Sequence, residues 1–510
     1  MTTTDILAKM DASLDIARQL APLLIKSKTH IVHDTTLKTQ MDLRCALRAA
    51  ALQNGGAVCE SLTLTRAGYT TGAILLDAAL MEPGLVANLS RLVFDVSQSE
   101  EEFDKSALQE LPAILACPAF KNLRDVVLVG DLEHPKHVSF LADPRVTCSN
   151  GTVSILPADL ELLVAANRTE LPSLNLIIFG ITAVDVACLQ RIAASGFRTK
   201  HMNINRFTSN MPMSTRIDEY GDEVVVKKVS LSEADVSAAA IAIATLLSEG
   251  GAFSFTGYSF FNKHEPLNTL ISKTLLEVVR SGAAKRVHVA YANDAGVVDL
   301  AAVMEASDRT LDSLSMGLSD KLMTAKGIEA MSALSARVKK MSLMTFGKEG
   351  GVYTIGDVFA AIGPVSDLKL DVTSFTKFYD YLASSMAGES SIKTLTLSIM
   401  DDTDKAWWNK EGEAFGPLFI NTFPNVEELT VTLRSSSFDE KHPMKRYRRM
   451  RRLSKILLDA VPATTPLRTF VTPYVCLVGD SYELDVQAFV AARAAGTAPA
   501  LTYPSSVIPS

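Results

Sequence analysis

A spacing of 27 residues between equivalent apolar positions is the feature that most constrains the fold of this chain. Each position is the middle apolar residue of the pattern h-x-x-h-x-h, where h is apolar, as in LDSLSM at 311–316. The equally spaced positions are Val287, Leu314, Met341, Leu368 and Leu395. Recurrence at a fixed period of 20 to 50 residues is typical of chains built from stacked repeats.

The same pattern continues on both sides with looser spacing. Its middle apolar residues are Leu62, Leu92, Val126, Val153, Leu174, Met202, Val229, Phe253, Leu429 and Phe470. These ten and the five above predict an array of about 15 units over residues 59–475. Apolar residues make up 47% of the sequence, which is enough to give every unit a buried face.

Each unit has room for one strand and one helix. Successive strand side chains point to opposite faces, so the h positions face a core and the x positions face outward. Segments with helical periodicity, such as residues 328–334 and 378–382, lie between the strands. Stacking the units in parallel buries one continuous core. Because helices are wider than strands, the prediction is an α/β solenoid, a horseshoe with parallel strands on the concave face and helices on the convex face.

These residues resemble the leucine-rich-repeat superfamily, in its long ribonuclease-inhibitor-like and F-box-associated form. The resemblance covers roughly Cys59 to Val475. The Asn or Cys that usually follows the strand is absent from most units, and Asn293 is a near match. The resemblance implies a binding scaffold, with an F-box-like substrate receptor of a ubiquitin ligase and a GTPase-activator-like regulator as alternatives.

The two ends carry no repeat pattern. Residues 1–58 predict a helical cap, with one helix near the start and a second from Asp42 to the Asn54-Gly55-Gly56 stop signal. A degenerate F-box-like module is the alternative for this segment. In residues 476–510, Asp480 or Ser481 is expected to cap a last helix that ends at Gly496, followed by a loose tail.

Composition argues against several classes of protein. A net charge of −7 does not favour binding to nucleic acid or to an anionic membrane. The longest apolar stretch, residues 238–247, is too short to span a bilayer, and the first residues lack the apolar core of a secretory signal. The six cysteines are scattered, which favours free thiols in a reducing compartment. We therefore expect a cytoplasmic or nuclear protein.

No motif for an enzyme, a cofactor or a metal is recognisable. The phosphate-binding, dinucleotide-binding and nucleophile-elbow patterns are all missing from the sequence. His30 with His33, and His134 with His137, have metal-like spacing, but neither pair has a clear third ligand. We expect neither catalysis nor bound metal.

The outward x positions of the strands are the best candidates for binding. They predict a small, polar centre with a sparse positive track, along which an acidic segment of a protein partner could lie. The candidate residues on this face are His201, Lys228, Arg286, His288, Lys340 and Lys369. Exposed lysines selected only for solubility are the alternative interpretation.

Two further features stand out. The adjacent Trp407 and Trp408 are either an aromatic anchor for a partner or packing against the next repeat. The basic run at residues 441–455 predicts a convex helix whose arginines pack along their stems, with a nuclear-import signal or an anion-binding site as alternatives. Its basic residues of interest are Lys445, Arg446, Arg448, Arg449, Arg451 and Arg452. A polyanion binder is thus a further functional alternative, although nucleic acid is not the expected partner.

Overall fold

The structure is a computed structural model of the 510-residue chain. It describes residues 30–34, 43–45, 47–48, 59–65, 71–95, 108, 110–132, 139–178, 183–205, 216–217, 223–224, 232–256, 265–292, 294–319, 324–346, 361–362, 365–372, 374–384, 391–401, 412–435, 443–472 and 483–497. The chain divides into two compact units, Met1–Ser248 and Glu249–Ser510.

The first unit begins with a parallel sheet in which five strands lie side by side in chain order. The strands are β1 (His30–Asp34), β2 (Ser61–Thr65), β3 (Arg91–Asp95), β4 (Asp125–Val129) and β5 (Val146–Ser149). The predicted positions Leu62, Leu92 and Val126 are direct partners across β2, β3 and β4. All three are fully buried, which confirms the predicted alternation here.

A second set of strands in the same unit belongs to a different sheet. It comprises β6 (Val153–Ile155), β7 (Glu170–Ile177) and β8 (Arg198–Asn205), with Val153, Leu174 and Met202 in register. The expectation that Val126 and Val153 belong to neighbouring strands is therefore wrong. Val126 pairs instead with Val146 of β5, a strand that the sequence reading missed.

Glycines allow the close approach between these two sheets. A side chain on Gly151 would overlap the backbone of Gly130, which itself has a φ of 115°. Leu132 then forms a parallel bridge with Val153. A short antiparallel pair, β9 (Arg216–Ile217) with β10 (Glu223–Val224), follows β8.

The helices of the first unit follow its strands along the chain. They are α1 (Thr71–Met81), α2 (Leu111–Ala116), α3 (Pro157–Ala165), α4 (Ala183–Ala194) and α5 (Glu233–Leu246), with short 3₁₀ turns at Pro83–Leu85, Pro118–Phe120 and Phe140–Ala142. Helix α5 starts at a capping box in which Ser232 and Asp235 bond each other's backbone N–H.

The second unit carries the regular repeats. Its strands are β11 (Leu247–Thr256), β12 (Ala284–Ala292), β13 (Leu311–Ser319), β14 (Val338–Phe346), β15 (Asp367–Val372), β16 (Thr394–Asp401), β17 (Glu428–Ser435), β18 (Thr469–Val471) and β19 (Glu483–Asp485). From β11 to β18 they lie side by side in chain order and in parallel. The direct partners along one row are Phe253, Val287, Leu314, Met341, Leu368, Leu395, Leu429 and Phe470. This confirms the register that the 27-residue spacing predicted.

Helices connect these strands and cover the buried side of the sheet. They are α6 (Glu265–Arg280), α7 (Asp294–Ala306), α8 (Ala325–Ser335), α9 (Phe375–Ser384), α10 (Gly412–Thr422) and α11 (Pro443–Ala460), with α12 (Val486–Ala494) after β19. The segments predicted as helices at 328–334 and 378–382 lie in α8 and α9. Phe415 of α10 packs its ring 5.0 Å from that of Phe375 and 6.2 Å from that of Phe378.

The ends of the chain differ from the expectations in detail. A strand, β1, lies within residues 1–58, where only helices were expected, and residues 43–45 and 47–48 are helical. Most of this segment, on which the F-box-like alternative depends, lies outside the described residues. The last helix exists, but Asp485 caps it by accepting a bond from the Ala488 N–H, rather than Asp480 or Ser481.

The predicted α/β class with a long parallel sheet is confirmed. The apolar pattern predicted this class because buried apolar residues alternate with outward residues in every regularly spaced unit. The final strand departs from the pattern, since β19 runs antiparallel to β18.

Candidate interaction surface

The outward side chains of β12 to β17 form one surface, called the sheet face below. Its side chains alternate with buried ones such as Leu314 and Met316, which are 0% and 2% exposed. One row of direct partners on this face is Arg286, Ser313, Lys340, Asp367, Thr394 and Glu428, and the next is His288, Ser315, Ser342, Lys369, Thr396 and Thr430. Adjacent strands are about 4.8 Å apart, so side chains from several repeats can contact the same partner.

The structure brings four of the six predicted binding residues together on the sheet face. Arg286, His288, Lys340 and Lys369 are all exposed there. His201 is also exposed, but it lies on β8 of the first unit. Lys228 lies outside the described residues.

The predicted positive track is partly neutralised. Lys340 Nζ lies 2.7 Å from Asp367 Oδ2 on the neighbouring strand. The hydrogen bond from the ammonium to the Asp367 carboxylate raises the pKa of Lys340. The sparse positive track of the sequence prediction therefore includes one cation, Lys340, whose charge is balanced by a carboxylate on the next strand.

A second ion pair on the sheet face was not predicted from the sequence. Asp371 of β15 contacts Arg434 of β17 across the intervening strand β16, and the Asp371 side chain is only 16% exposed. Burial lowers the pKa of Arg434. Both residues lie beyond the six-residue motif. Continuing the alternation two and four positions further along each strand would have placed them on this face.

Charges also alternate where the strands begin. Lys339 Nζ lies 2.7 Å from Asp312 Oδ1, and Lys393 Nζ lies 3.1 Å from Glu427 Oε1. The hydrogen bond from Lys339 lowers the pKa of Asp312. Exposed pairs of this kind add little stability, and each places a cation beside a carboxylate at the start of neighbouring strands.

Strand β13 carries small residues at its outward positions on the sheet face. They are the half-buried Ser313 and Ser315 and the buried Gly317. The longer Arg286 and Lys340 flank Ser313 on β12 and β14. Ser315 Oγ lies 2.8 Å from His288 Nδ1. Although His288 is exposed as a residue, partial desolvation of its imidazole by the surrounding side chains lowers its pKa. These three residues of β13, with the side chains that flank them, are called the β13 trough below.

The basic run forms helix α11, as predicted. Met450 and Leu453 are buried, while Arg448 and Arg451 are exposed and Arg449 and Arg452 are half-buried. The half-buried arginines fit the prediction of stems packed along the helix. Nothing is described of the side chains of Lys445 and Arg446, and Trp407 and Trp408 lie outside the described residues.

Neither a metal-binding group nor a membrane span is found in the part of the chain that the structure describes. There, no three His, Cys, Asp or Glu side chains are grouped so that they could hold an ion. Among the same residues, every helix is too short or too polar to cross a bilayer. His134 and His137 fall outside the described ranges.

Two comparisons with known proteins found no match for this chain. No protein-family model matches it, and no curated protein matches it significantly. Any functional argument therefore depends on the geometry and charge of its own surfaces.

Proposed function

We propose that this protein is a non-enzymatic interaction scaffold that binds a protein partner on the sheet face. One observation carries the proposal: six strands of equal register present exposed polar side chains as a continuous surface without a covering helix layer among the described residues. Each side chain on this surface is attached to a hydrogen-bonded strand, so the position of its backbone is fixed before a partner binds. Binding to it therefore requires little ordering of the scaffold, which favours affinity.

The charge pattern favours a protein over a polyanion. Lys340 is paired with Asp367, and Arg434 with Asp371, so cations and carboxylates lie side by side. A nucleic acid carries evenly spaced negative charge and would meet these carboxylates. A folded protein or a peptide can match both signs.

We further propose that the second unit is a leucine-rich-repeat-type solenoid with the sheet face on its concave side. The support is the equal spacing of its strands and the single helix layer against their buried side chains. Stacked strand-helix units of this kind curve because the helix layer is wider than the strand layer.

Charge reversal on the sheet face tests the proposal. The triple variant Arg286→Glu, Lys340→Glu, Lys369→Glu changes three exposed side chains of this face. A matched control, Arg191→Glu, Arg280→Glu, Lys326→Glu, reverses three exposed cations on helices α4, α6 and α8. We expect proteins that co-purify with the wild-type chain from its native source to be lost with the first variant and kept with the second.

The outcome that contradicts the proposal is equally specific. If both triple variants retain the same co-purifying proteins, or lose them equally, the sheet face does not select the partner. Circular dichroism and thermal melting of each variant distinguish this result from misfolding.

Polyanion binding through α11 is the second candidate, because this helix exposes Arg448, Arg451 and Lys455 along one segment. Neutralising each phosphate releases counterions, so such binding weakens steeply with salt. A fluorescently labelled duplex DNA titrated at two salt concentrations measures that dependence. Binding that is absent, or insensitive to salt, would remove this candidate.

A further inference from the structure

We propose that the β13 trough binds a single phosphorylated side chain, a phosphoserine or phosphothreonine, in an extended segment of the protein partner. This inference deepens the proposed function and depends on it. It assigns a chemical class of ligand to one part of the sheet face.

The first support is the placement of cations on both sides of small hydroxyl side chains. Arg286 and Lys340 are the direct strand partners of Ser313 on its two sides. Two strand spacings separate their backbones, or about 10 Å. Both side chains are exposed and long enough to reach a group held above Ser313. A tetrahedral oxyanion fits between them, with the serine below it.

The second support is the number of hydrogen-bond donors. Arg286 offers a planar fork of N–H groups, Lys340 offers an ammonium that can serve Asp367 and a ligand together, and Ser313 offers a hydroxyl. His288 Nδ1 lies 2.8 Å from Ser315 Oγ. When Nδ1 donates that bond, the Ser315 proton is directed to another acceptor. A phosphate monoester, with three terminal oxygens and up to two charges, can accept more of these bonds than a carboxylate with two oxygens and one charge.

The third support is the limit set by a neighbouring carboxylate. On the strand beyond Lys340, Asp367 is its direct partner on the sheet face and is paired with it. The negative charge of Asp367 opposes a row of phosphates running across the strands, but less so a single anion held on the other side of Lys340, between it and Arg286. Beyond the serines, the buried Gly317 places no side chain in the path of an extended segment, and the exposed Met344 lies beside it on β14. A discrete phosphate on a peptide therefore fits better than a nucleic acid.

Peptide arrays probed with the full-length protein test this inference. The probes are nonapeptides of random sequence centred on phosphoserine, the same peptides unphosphorylated, and the same peptides with Asp at the centre. We expect binding to selected phosphopeptides at least tenfold tighter than to either matched form. Arg286→Gln and Lys340→Gln should each weaken it by tenfold or more, and Ser315→Ala by severalfold. The control Lys326→Gln, on helix α8, should leave it unchanged.

Three results would overturn the inference. They are equal binding of unphosphorylated peptides, phosphopeptide binding that survives both Arg286→Gln and Lys340→Gln, and tighter binding of a single-stranded oligonucleotide through the same residues. Pretreating the native extract with a protein phosphatase separates the two proposals. If phosphatase leaves the capture of the partner by the sheet face intact, the phosphate site is wrong and the scaffold proposal stands. If no capture depends on the sheet face with or without phosphatase, both proposals fail.

Discussion

Leu395 and Thr396 are neighbours in β16, but their side chains lie in opposite environments. Leu395 is 1% exposed, packed on the buried side of the sheet, while Thr396 is half-buried on the sheet face. Thr396 is the direct strand partner of Lys369. The same alternation places Arg286, His288, Lys340 and Lys369 on the sheet face, so it is tested first.

An aspartate at each of these two positions should have very different effects. Leu395→Asp places a charge without a partner in the core and should lower the free energy of unfolding by about 4 kcal/mol or more. Thr396→Asp adds an accessible carboxylate beside Lys369 and should change it by less than about 1 kcal/mol. Urea denaturation followed by circular dichroism measures both. Equal losses would contradict the assigned faces of the strand.

Burial should make one thiol of the first unit unreactive in the folded protein. Cys188 of α4 is 3% exposed and donates a hydrogen bond to the Pro157 carbonyl oxygen at 3.2 Å. Burial, together with the neighbouring Glu161, raises the pKa of Cys188 to about 12. The thiolate is the nucleophile, so a raised pKa means that the thiol is protonated at pH 8 and becomes reactive only as the pH rises toward 12.

Alkylation with iodoacetamide at pH 8, read by mass spectrometry, checks this expectation. Cys188 should remain unmodified in the native protein over a time that modifies it fully in 6 M guanidinium chloride. Modification at the same rate in both conditions would show that the Cys188 thiol is accessible in the folded protein.

At the scale of the elements, the sequence was informative wherever a unit kept its length. The buried row from Val287 to Leu395 was predictable because each unit repeats the same strand and helix in 27 residues. Strand β5 was missed because Val146 follows Val126 by only 20 residues with no full motif. The ion pairs of Lys340 and Arg434 were missed for another reason: the alternation gives the face on which a side chain lies, but not the partner that its charged group contacts.

The contact between α10 and α11 depends on a glycine. A Cβ on Gly416 would overlap the Ile456 carbonyl oxygen and would lie 2.8 Å from the Ala460 Cβ. Gly416→Ala should therefore push the two helices apart and lower the free energy of unfolding by about 1–3 kcal/mol, the usual cost of overpacking.

Gly84→Ala in the first unit is the matched control. A Cβ at Gly84 would meet no atom within 4 Å, so its melting temperature should stay close to that of the wild type. If thermal melting shows the two substitutions to be equally harmless, the close packing of α10 on α11 is not present in solution.

At the scale of the whole molecule, the stacked strands imply that each repeat is stabilised mainly by its two neighbours. Damage to one repeat should therefore spread along the sheet only as far as those contacts reach. Each of the two compact units has fully buried strand leucines. The spread of damage can therefore be tested in either unit, with the other unit as the control.

Truncating one buried leucine in each unit should produce separate losses of protection. Leu395→Ala should accelerate amide hydrogen exchange in β15, β16 and β17 while leaving β6, β7 and β8 protected. Leu176→Ala, on β7, should do the reverse. Each truncation should cost about 2–5 kcal/mol locally. Mass spectrometry measures this exchange. If exchange accelerates uniformly along the chain in either variant, the two units unfold together as one cooperative unit instead.

The antiparallel strand β19 has a consequence for how these molecules behave toward one another. It covers the free edge of β18, on which a further parallel repeat would otherwise stack. It is only three residues long, and its two flanking side chains, Glu483 and Asp485, are both acidic. Short, like-charged edges repel a second edge of the same kind. Strand β19 therefore opposes end-to-end polymerisation of the protein through this edge of the sheet.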